Sequence, residues 1–158
     1  EIEKLSNDWK NRRLHTNENL INLPYGVHGT DLAFSGLLTS AISHSRELPL
    51  DQGCYSLQEH SFSSCIEVAE RAMAHTGKRE LLLGGGVACN ARLREMSRIM
   101  CEERGGEAFW PEKQYCIDNG TMIAELGRKE LQSGRITKLS DSGIDPSMRT
   151  DSSVIAWS

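Results

Sequence analysis

Two stretches of this chain combine residue types and spacings that can do chemistry. The first is Leu81-Leu82-Leu83-Gly84-Gly85-Gly86-Val87-Ala88-Cys89-Asn90-Ala91-Arg92-Leu93. An apolar run, a glycine turn and a helix start are what a phosphate or nucleotide site uses. Glycines let a ligand approach the backbone, and a helix N-terminus offers free N–H groups and a favourable dipole. Asn90, at that start, can cap its own helix, donate to a phosphate oxygen or accept from a ribose hydroxyl. The run is neither a Walker loop nor G-x-G-x-x-G. A tight strand-to-helix turn with an ordinary Asn90 cap accounts for the same residues, so both readings stand open. The second stretch, Cys116-Ile117-Asp118-Asn119-Gly120-Thr121-Met122-Ile123-Ala124, puts a carboxylate just before a helix. Asp118 is either the N-cap of that helix, a position Asp favours, or a hard oxygen ligand facing a metal-bound phosphate.

The remaining reactive residue types form no constellation. His15, His28, His44, His60 and His75 include no H-x-x-x-H or H-E-x-x-H pair and read as surface or supporting residues. Cys54, Cys65, Cys89, Cys101 and Cys116 are odd in number and never spaced C-x-x-C. That argues against a disulfide framework or zinc cage and for reduced, mostly buried thiols. Asn119-Gly120-Thr121 has the form of a glycosylation acceptor, but nothing points to secretion. Lys10, Arg12, Arg13, Arg92, Arg94 and Arg98 read as solvated faces, a subunit or RNA contact being the other reading.

The elements that must position these residues can be read from periodicity. Phe34, Leu37, Leu38, Ala41 and Ile42 recur at helical spacing, with Ser35 as N-cap or first-turn residue. Ser56-Leu57-Gln58-Glu59 reads as a capping box opening a helix whose inward face is Phe62, Ile66, Ala69 and Met73 and whose stop is Gly77. Glu80–Leu83 is a short strand. A helix from Asn90 then points Leu93, Met96, Ile99 and Met100 inward and ends at Gly105. Glu107–Trp110 reads as another strand, closed by Pro111. A further helix starts near Asp118-Asn119-Gly120 and runs to Gly134, and Ser152–Trp157 reads as a final strand. This alternation implies a layered α/β domain, taken as a single domain over residues 1–158.

Composition bounds these readings. A 158-residue chain with 38% hydrophobic and 25% charged residues suits one folded domain rather than disorder. No apolar run approaches the roughly 20 residues that span a bilayer, and Glu1–Asn7 is not a secretory signal. A net charge of −4 is unlike that of a free-standing nucleic-acid binder, so an RNA substrate would need positive surface from other protein.

The Gly-Gly-Val-x-x-Asn-x-x-Leu-Arg segment at 85–94 and the Cys116–Ala124 block resemble two signatures of the universal tRNA N6-threonylcarbamoyladenosine synthase family. That family supplies the catalytic subunit of the KEOPS complex and was formerly called O-sialoglycoprotein endopeptidase. Leu23-Pro24-Tyr25, Gly29-x-Asp31-x-x-Phe34-Ser35-Gly36-Leu37, Ser56–Glu59, Leu139–Gly143, and Arg149-Thr150-Asp151 with Trp157 follow in family order. The wording is closer to the archaeal and eukaryotic branch than to the bacterial one.

The resemblance implies an actin-like, sugar-kinase-like, heat-shock-ATPase (ASKHA, ribonuclease H-like) fold of two α/β lobes with a nucleotide between them. It implies transfer of threonylcarbamoyl from threonylcarbamoyl-AMP to the adenosine 3′ of the anticodon. Asn90 with the backbone of Gly85 and Gly86 would hold the nucleotide, and Asp118 would be one ligand of a divalent iron or zinc. Ile2-Glu3 is similar to the end of a Gly-Gly-Pro-x-Ile-Glu segment whose Glu binds ribose, which would make Glu3 a site residue. ATP or AMP is the related ligand; tRNA and KEOPS-type subunits, including a small kinase, are the implied partners, in the cytoplasm or, for a eukaryotic protein, also the nucleus. The family's other metal ligands, an H-x-x-x-H pair and a tyrosine, are missing here. The chain is therefore read as a C-terminal lobe whose N-terminal lobe is missing, inactive by itself, with no catalytic residue of its own assigned. Rival readings are another kinase or carbamoyltransferase of that fold, and a non-catalytic interaction lobe. A peptidase lacks a zincin helix or a nucleophile with an evident base.

Overall fold

The computed structural model describes residues 1–13, 20–149 and 152–155. They form two compact units, Glu1–Pro111 and Glu112–Ser158.

The first unit holds helix α1 (Ile2–Arg13), strands β1 (Val27–His28) and β2 (Asp31–Leu32), helices α2 (Phe34–His44) and α3 (Leu50–Thr76), strand β3 (Glu80–Leu82), helix α4 (Ala91–Glu103) and strand β4 (Glu107–Phe109). β1 and β2 pair antiparallel. β3 and β4 pair parallel, with Glu80 opposite Glu107 and Leu82 opposite Phe109, and α4 is the crossover that a parallel pair requires. The order helix–strand–helix–strand matches the layered α/β reading, built here on two small sheets, one of each sense.

Packing explains the helix lengths. Trp9 of α1 is fully buried, its ring 4.5 Å from that of Tyr55 on α3. That contact lies ahead of the predicted capping box and carries α3 through Gly53 to its true start after Pro49, whose φ of −55° and ψ of 135° make it the N-cap. Ser56 is therefore not a cap. It is fully buried inside α3, and its Oγ accepts a hydrogen bond from the Ile21 N–H at 3.0 Å. Gly77 ends α3 as expected, with φ of +67° and its N–H on the Met73 carbonyl. α2 forms at the predicted place, with Ala33 at its cap position and Ser35 in its first turn, the second of the two places expected for it.

Two apolar clusters result. Ile21, Leu23 and Leu37 pack with Ala41 and Leu57, and Met73, Met100 and Cys101 pack with Ile66, Ala69, Leu81 and Ala108. The predicted α4 face is partly revised: Leu93 and Met100 are buried, but Ile99 is exposed and Ser97 is buried instead, its hydroxyl donating to the Leu93 carbonyl at 2.8 Å. Between α4 and β4 the chain turns through Gly106, where a Cβ would stand 2.2 Å from the Arg79 carbonyl oxygen. The same oxygen accepts the Glu107 N–H at 2.8 Å, so the parallel pair starts at a position only glycine can fill.

The second unit contains helix α5 (Gly120–Gln132) and short 3-10 turns at Lys113–Tyr115 and Leu139–Asp141. No residue of α5 is buried, and Met122, Ile123, Leu126 and Leu131 are exposed. Ser153–Ile155 form no strand. The other residues of the predicted tail motifs, Thr150, Asp151 and Trp157, lie outside the described residues. Among the described residues no helix is long and apolar enough to cross a membrane.

Candidate functional site

The glycine turn leaves β3 through the Leu83 N–H, which still bonds the Phe109 carbonyl at 2.8 Å. Gly85 then takes φ of +87° and ψ of 167°, a conformation essentially reserved for glycine. A 3-10 turn over Gly86–Cys89 follows, and Asn90 starts α4. Gly84, Gly85 and Gly86 are exposed, and no acceptor among the described residues meets the Gly85 and Gly86 N–H groups. Arg94 braces the turn from inside α4: its Nε donates to the Ala88 carbonyl, its Nη2 reaches the Pro111 carbonyl, and its guanidinium lies 5.4 Å from the centre of the Trp110 ring.

The start of α4 is closed by side chains. Asn90 Oδ1 accepts from the N–H groups of Arg92 at 2.8 Å and Leu93 at 3.2 Å, a complete N-cap. Glu3, arriving on α1, accepts the Ala91 N–H through Oε1 at 2.9 Å. A carboxylate there is favoured by the helix dipole. Asn90 thus forms the N-cap that one of its two readings from sequence gave; the helix terminus is occupied, and the free backbone donors belong to the glycine turn before it. Asn90 Nδ2 in turn donates to Gln58 Oε1 at 3.1 Å.

These groups share a pocket of about 280 Å³. Its walls include Ile2, Leu57, Phe62 and Val87, with Glu3, Gln58 and Asn90 as polar lining. The structure therefore brings Glu3 and Asn90 together, and the glycine turn adjoins them through Val87. Sequence reasoning missed Gln58, because Ser56–Glu59 was assigned to a helix cap. No local sign in the sequence marks Gln58, since its burial and its place inside α3 follow from packing. The next residue, Glu59, binds Arg92 by a two-point contact, Nε to Oε1 and Nη2 to Oε2 at 2.8 Å each. Arg92 also reaches Glu95 at 2.8 Å. These bonds, Glu59's first, hold the Arg92 guanidinium above its ordinary pKa. The expectation that Arg92 and Arg94 are solvated is accordingly revised, since both tie down the site. Arg98 is exposed and, among the described residues, pairs only along its own helix with Glu102. The side chains of Arg12 and Arg13 lie outside the described residues.

Asp118 is in the second unit. It does not cap α5: Asn119 does, its Oδ1 accepting the Met122 N–H at 3.1 Å. The Asp118 carboxylate is exposed, engages no partner among the described residues, and lines a pocket of about 370 Å³ with Asn119, Gly120, Met122 and Ile123. A hard, uncommitted oxygen donor fits a divalent metal as one ligand. Among the described residues no three His, Cys, Asp or Glu side chains converge on a metal position.

A glycine turn between a short strand and a helix, beside a largely apolar pocket with convergent amide and carboxylate groups, has the make-up of a small-ligand site. The family model of TsaD, tRNA N6-adenosine threonylcarbamoyltransferase, matches residues 1–125, and the chain belongs to this family. A tRNA N6-adenosine threonylcarbamoyltransferase of Methanothrix thermoacetophila is 50% identical over 87% of this chain and 42% of its own length. The Xenopus laevis protein of the same name is 46% identical over 87% of this chain and 43% of its own. A Methanosarcina barkeri protein named "Probable bifunctional tRNA threonylcarbamoyladenosine biosynthesis protein" is 52% identical over 87% of this chain and 25% of its own. The chain thus spans less than half the length of these relatives. Among solved structures, T.kodakarensis HypF matches 85% of this chain and 17% of its own, with a TM-score of 0.60; at 20% identity the likeness is one of fold.

Proposed function

We propose that this chain is the C-terminal lobe of a two-lobe ASKHA-type tRNA N6-adenosine threonylcarbamoyltransferase, both compact units belonging to that lobe. In this reading the pocket beside Asn90 takes the nucleotide part of threonylcarbamoyl-AMP, and the Gly85 and Gly86 N–H groups face its phosphate. The free oxygen of the Glu3 carboxylate accepts from a ribose hydroxyl. Asp118 contributes one ligand to a divalent metal, iron or zinc, whose other ligands lie outside this chain; when bound, the metal supplies Lewis acidity toward the carbamoyl-phosphate anhydride. The tRNA adenosine amine is the acceptor, and KEOPS-type subunits, including a small kinase, supply the positive surface that a chain of net charge −4 lacks.

The convergence of Glu3, Gln58 and Asn90 on one pocket carries this reading, because residues 88 positions apart meet at the α4 start through the Glu3–Ala91 bond. It is tested by calorimetric titration of AMP, with and without a divalent metal. The proteins are this chain and this chain preceded by the N-terminal part of the Methanothrix thermoacetophila relative. Binding by the longer protein that Asn90→Ala removes is the expected result. Absence of binding in both proteins would leave the chain as a non-catalytic interaction lobe.

A further inference from the structure

Gln58 is a polar side chain with only 5% of its surface exposed, and the hydrogen bonds around it fix which way its amide faces. Asn90 accepts two backbone N–H groups, so its oxygen must face α4 and its Nδ2 must face Gln58. Only an acceptor can answer Nδ2, so Gln58 presents Oε1 to Asn90 and turns Nε2 away from it. This assignment follows from the backbone donors and needs no view of the amide hydrogens. Among the described residues the Gln58 Nε2 has no acceptor. No fully buried side-chain nitrogen or oxygen among them lacks a partner either, so this nitrogen keeps some exposure, and Gln58 lines the pocket beside Asn90.

That pocket combines a pair of unused N–H donors with apolar walls from Leu57, Phe62 and Val87. A flat, largely apolar group carrying an in-plane acceptor fits both features. At about 280 Å³ the space lies near the lower end for small-molecule pockets, roughly 300 Å³, which suits a base and part of a sugar rather than a whole adenylate. We propose that Gln58 is the base-reading residue of this site, donating from Nε2 to a ring nitrogen of a purine seated between Leu57, Phe62 and Val87. The inference rests on the nucleotide reading above and gives the base its own subsite. Gln58 also positions Asn90, through the bond from Asn90 Nδ2 to its Oε1.

The test uses the longer protein described above and titrates AMP against its 1-deaza, 3-deaza and 7-deaza analogues, each lacking one ring acceptor. One analogue should bind about tenfold more weakly than AMP, the loss of roughly one hydrogen bond. Gln58→Met, close in length but without donors, should lower AMP affinity at least as much, and that analogue should lose nothing further in the variant. If AMP and all three analogues bind the wild type alike, the base-reading role is overturned while the nucleotide reading survives, whether or not the variant folds. An analogue penalty that persists undiminished in Gln58→Met would move the contact to another residue. No binding of AMP or any analogue by the wild type would overturn both readings together.

Discussion

Asn90 gives its oxygen to two backbone N–H groups and its amide nitrogen to Gln58, so its roles in stability and in ligand binding can be pulled apart. Asp caps helices about as well as Asn, whereas Ala costs about 1 kcal/mol at such a position. With Gln58 turning its amide to donate to the new carboxylate, Asn90→Asp should keep its unfolding free energy within about 0.5 kcal/mol of wild type, while Asn90→Ala should fall by about 1 kcal/mol in denaturant titration. AMP affinity should drop at least about tenfold in both, in Asn90→Asp because a second carboxylate beside Glu3 repels an anionic ligand. Unchanged affinity in Asn90→Asp would show that Asn90 is only a cap. Cys101 sits at the other end of α4, fully buried against Met73 and Met100. Burial raises its thiol above the ordinary value of 9.0. The folded chain then favours the protonated thiol more than the unfolded chain does. Its contribution is complete below about pH 9 and is lost as pH rises toward the folded value. Cys101→Ala should accordingly flatten the decline in stability above about pH 9. An identical slope in the two proteins would remove Cys101 from the account.

At the scale of elements, glycines mark where the backbone has no alternative. Gly106 faces the Arg79 carbonyl, with 2.2 Å available to a Cβ, so Gly106→Ala must separate β3 from β4. Gly85 has open space but a φ of +87°, so Gly85→Ala meets strain alone, on the order of 1–3 kcal/mol. Gly84 has neither obstacle. Melting temperatures should therefore fall in the order Gly84→Ala, Gly85→Ala, Gly106→Ala, the last falling furthest; a harmless Gly106→Ala would mean the strand pair is not needed for folding. The strand–turn–helix unit around these glycines was legible in the sequence, since a Leu run, a glycine cluster and a helix with Gly105 behind it are all local signs. The start of α3 was not. Ser56-Leu57-Gln58-Glu59 satisfies the local pattern of a cap, and only the distant Trp9–Tyr55 contact shows that the helix begins at Leu50. The same error hid the site's supporting residues. Ser56, Gln58 and Glu59 each bond a different distant partner, Ile21, Asn90 and Arg92. Asn90 and Glu3 were legible by resemblance, yet their meeting at the Ala91 N–H depends on how α1 packs and has no local sign.

Across the whole molecule, burial is unevenly distributed. The first unit has two apolar clusters, a fully buried tryptophan and a two-point Arg92–Glu59 bond whose partners are 26% and 12% exposed. The second unit's one long helix has no buried residue, and its Arg128–Glu125 pair is half exposed, the kind of pair that contributes little. A 13-residue helix without tertiary burial is marginal in water. The Asn119 cap and the ion pair can offset only part of that. The stability of this chain should therefore be carried by α3 and α4, with α5 opening at low free energy. Amide hydrogen exchange on the chain alone should show protection in Ile66–Met73 and Leu93–Cys101 exceeding that in Ile123–Leu131 by at least about 100-fold. Equal protection would mean that α5 unfolds only with the core, and the exposed face of Met122, Ile123 and Leu126 would then need no cover from the further length its relatives possess. A large difference would mean that Asp118, just ahead of α5, gains a fixed position only when that face is covered. On that outcome the metal ligand proposed at Asp118 should bind measurably only in the longer protein, which titration of iron(II) or zinc into both proteins and into their Asp118→Ala variants would decide.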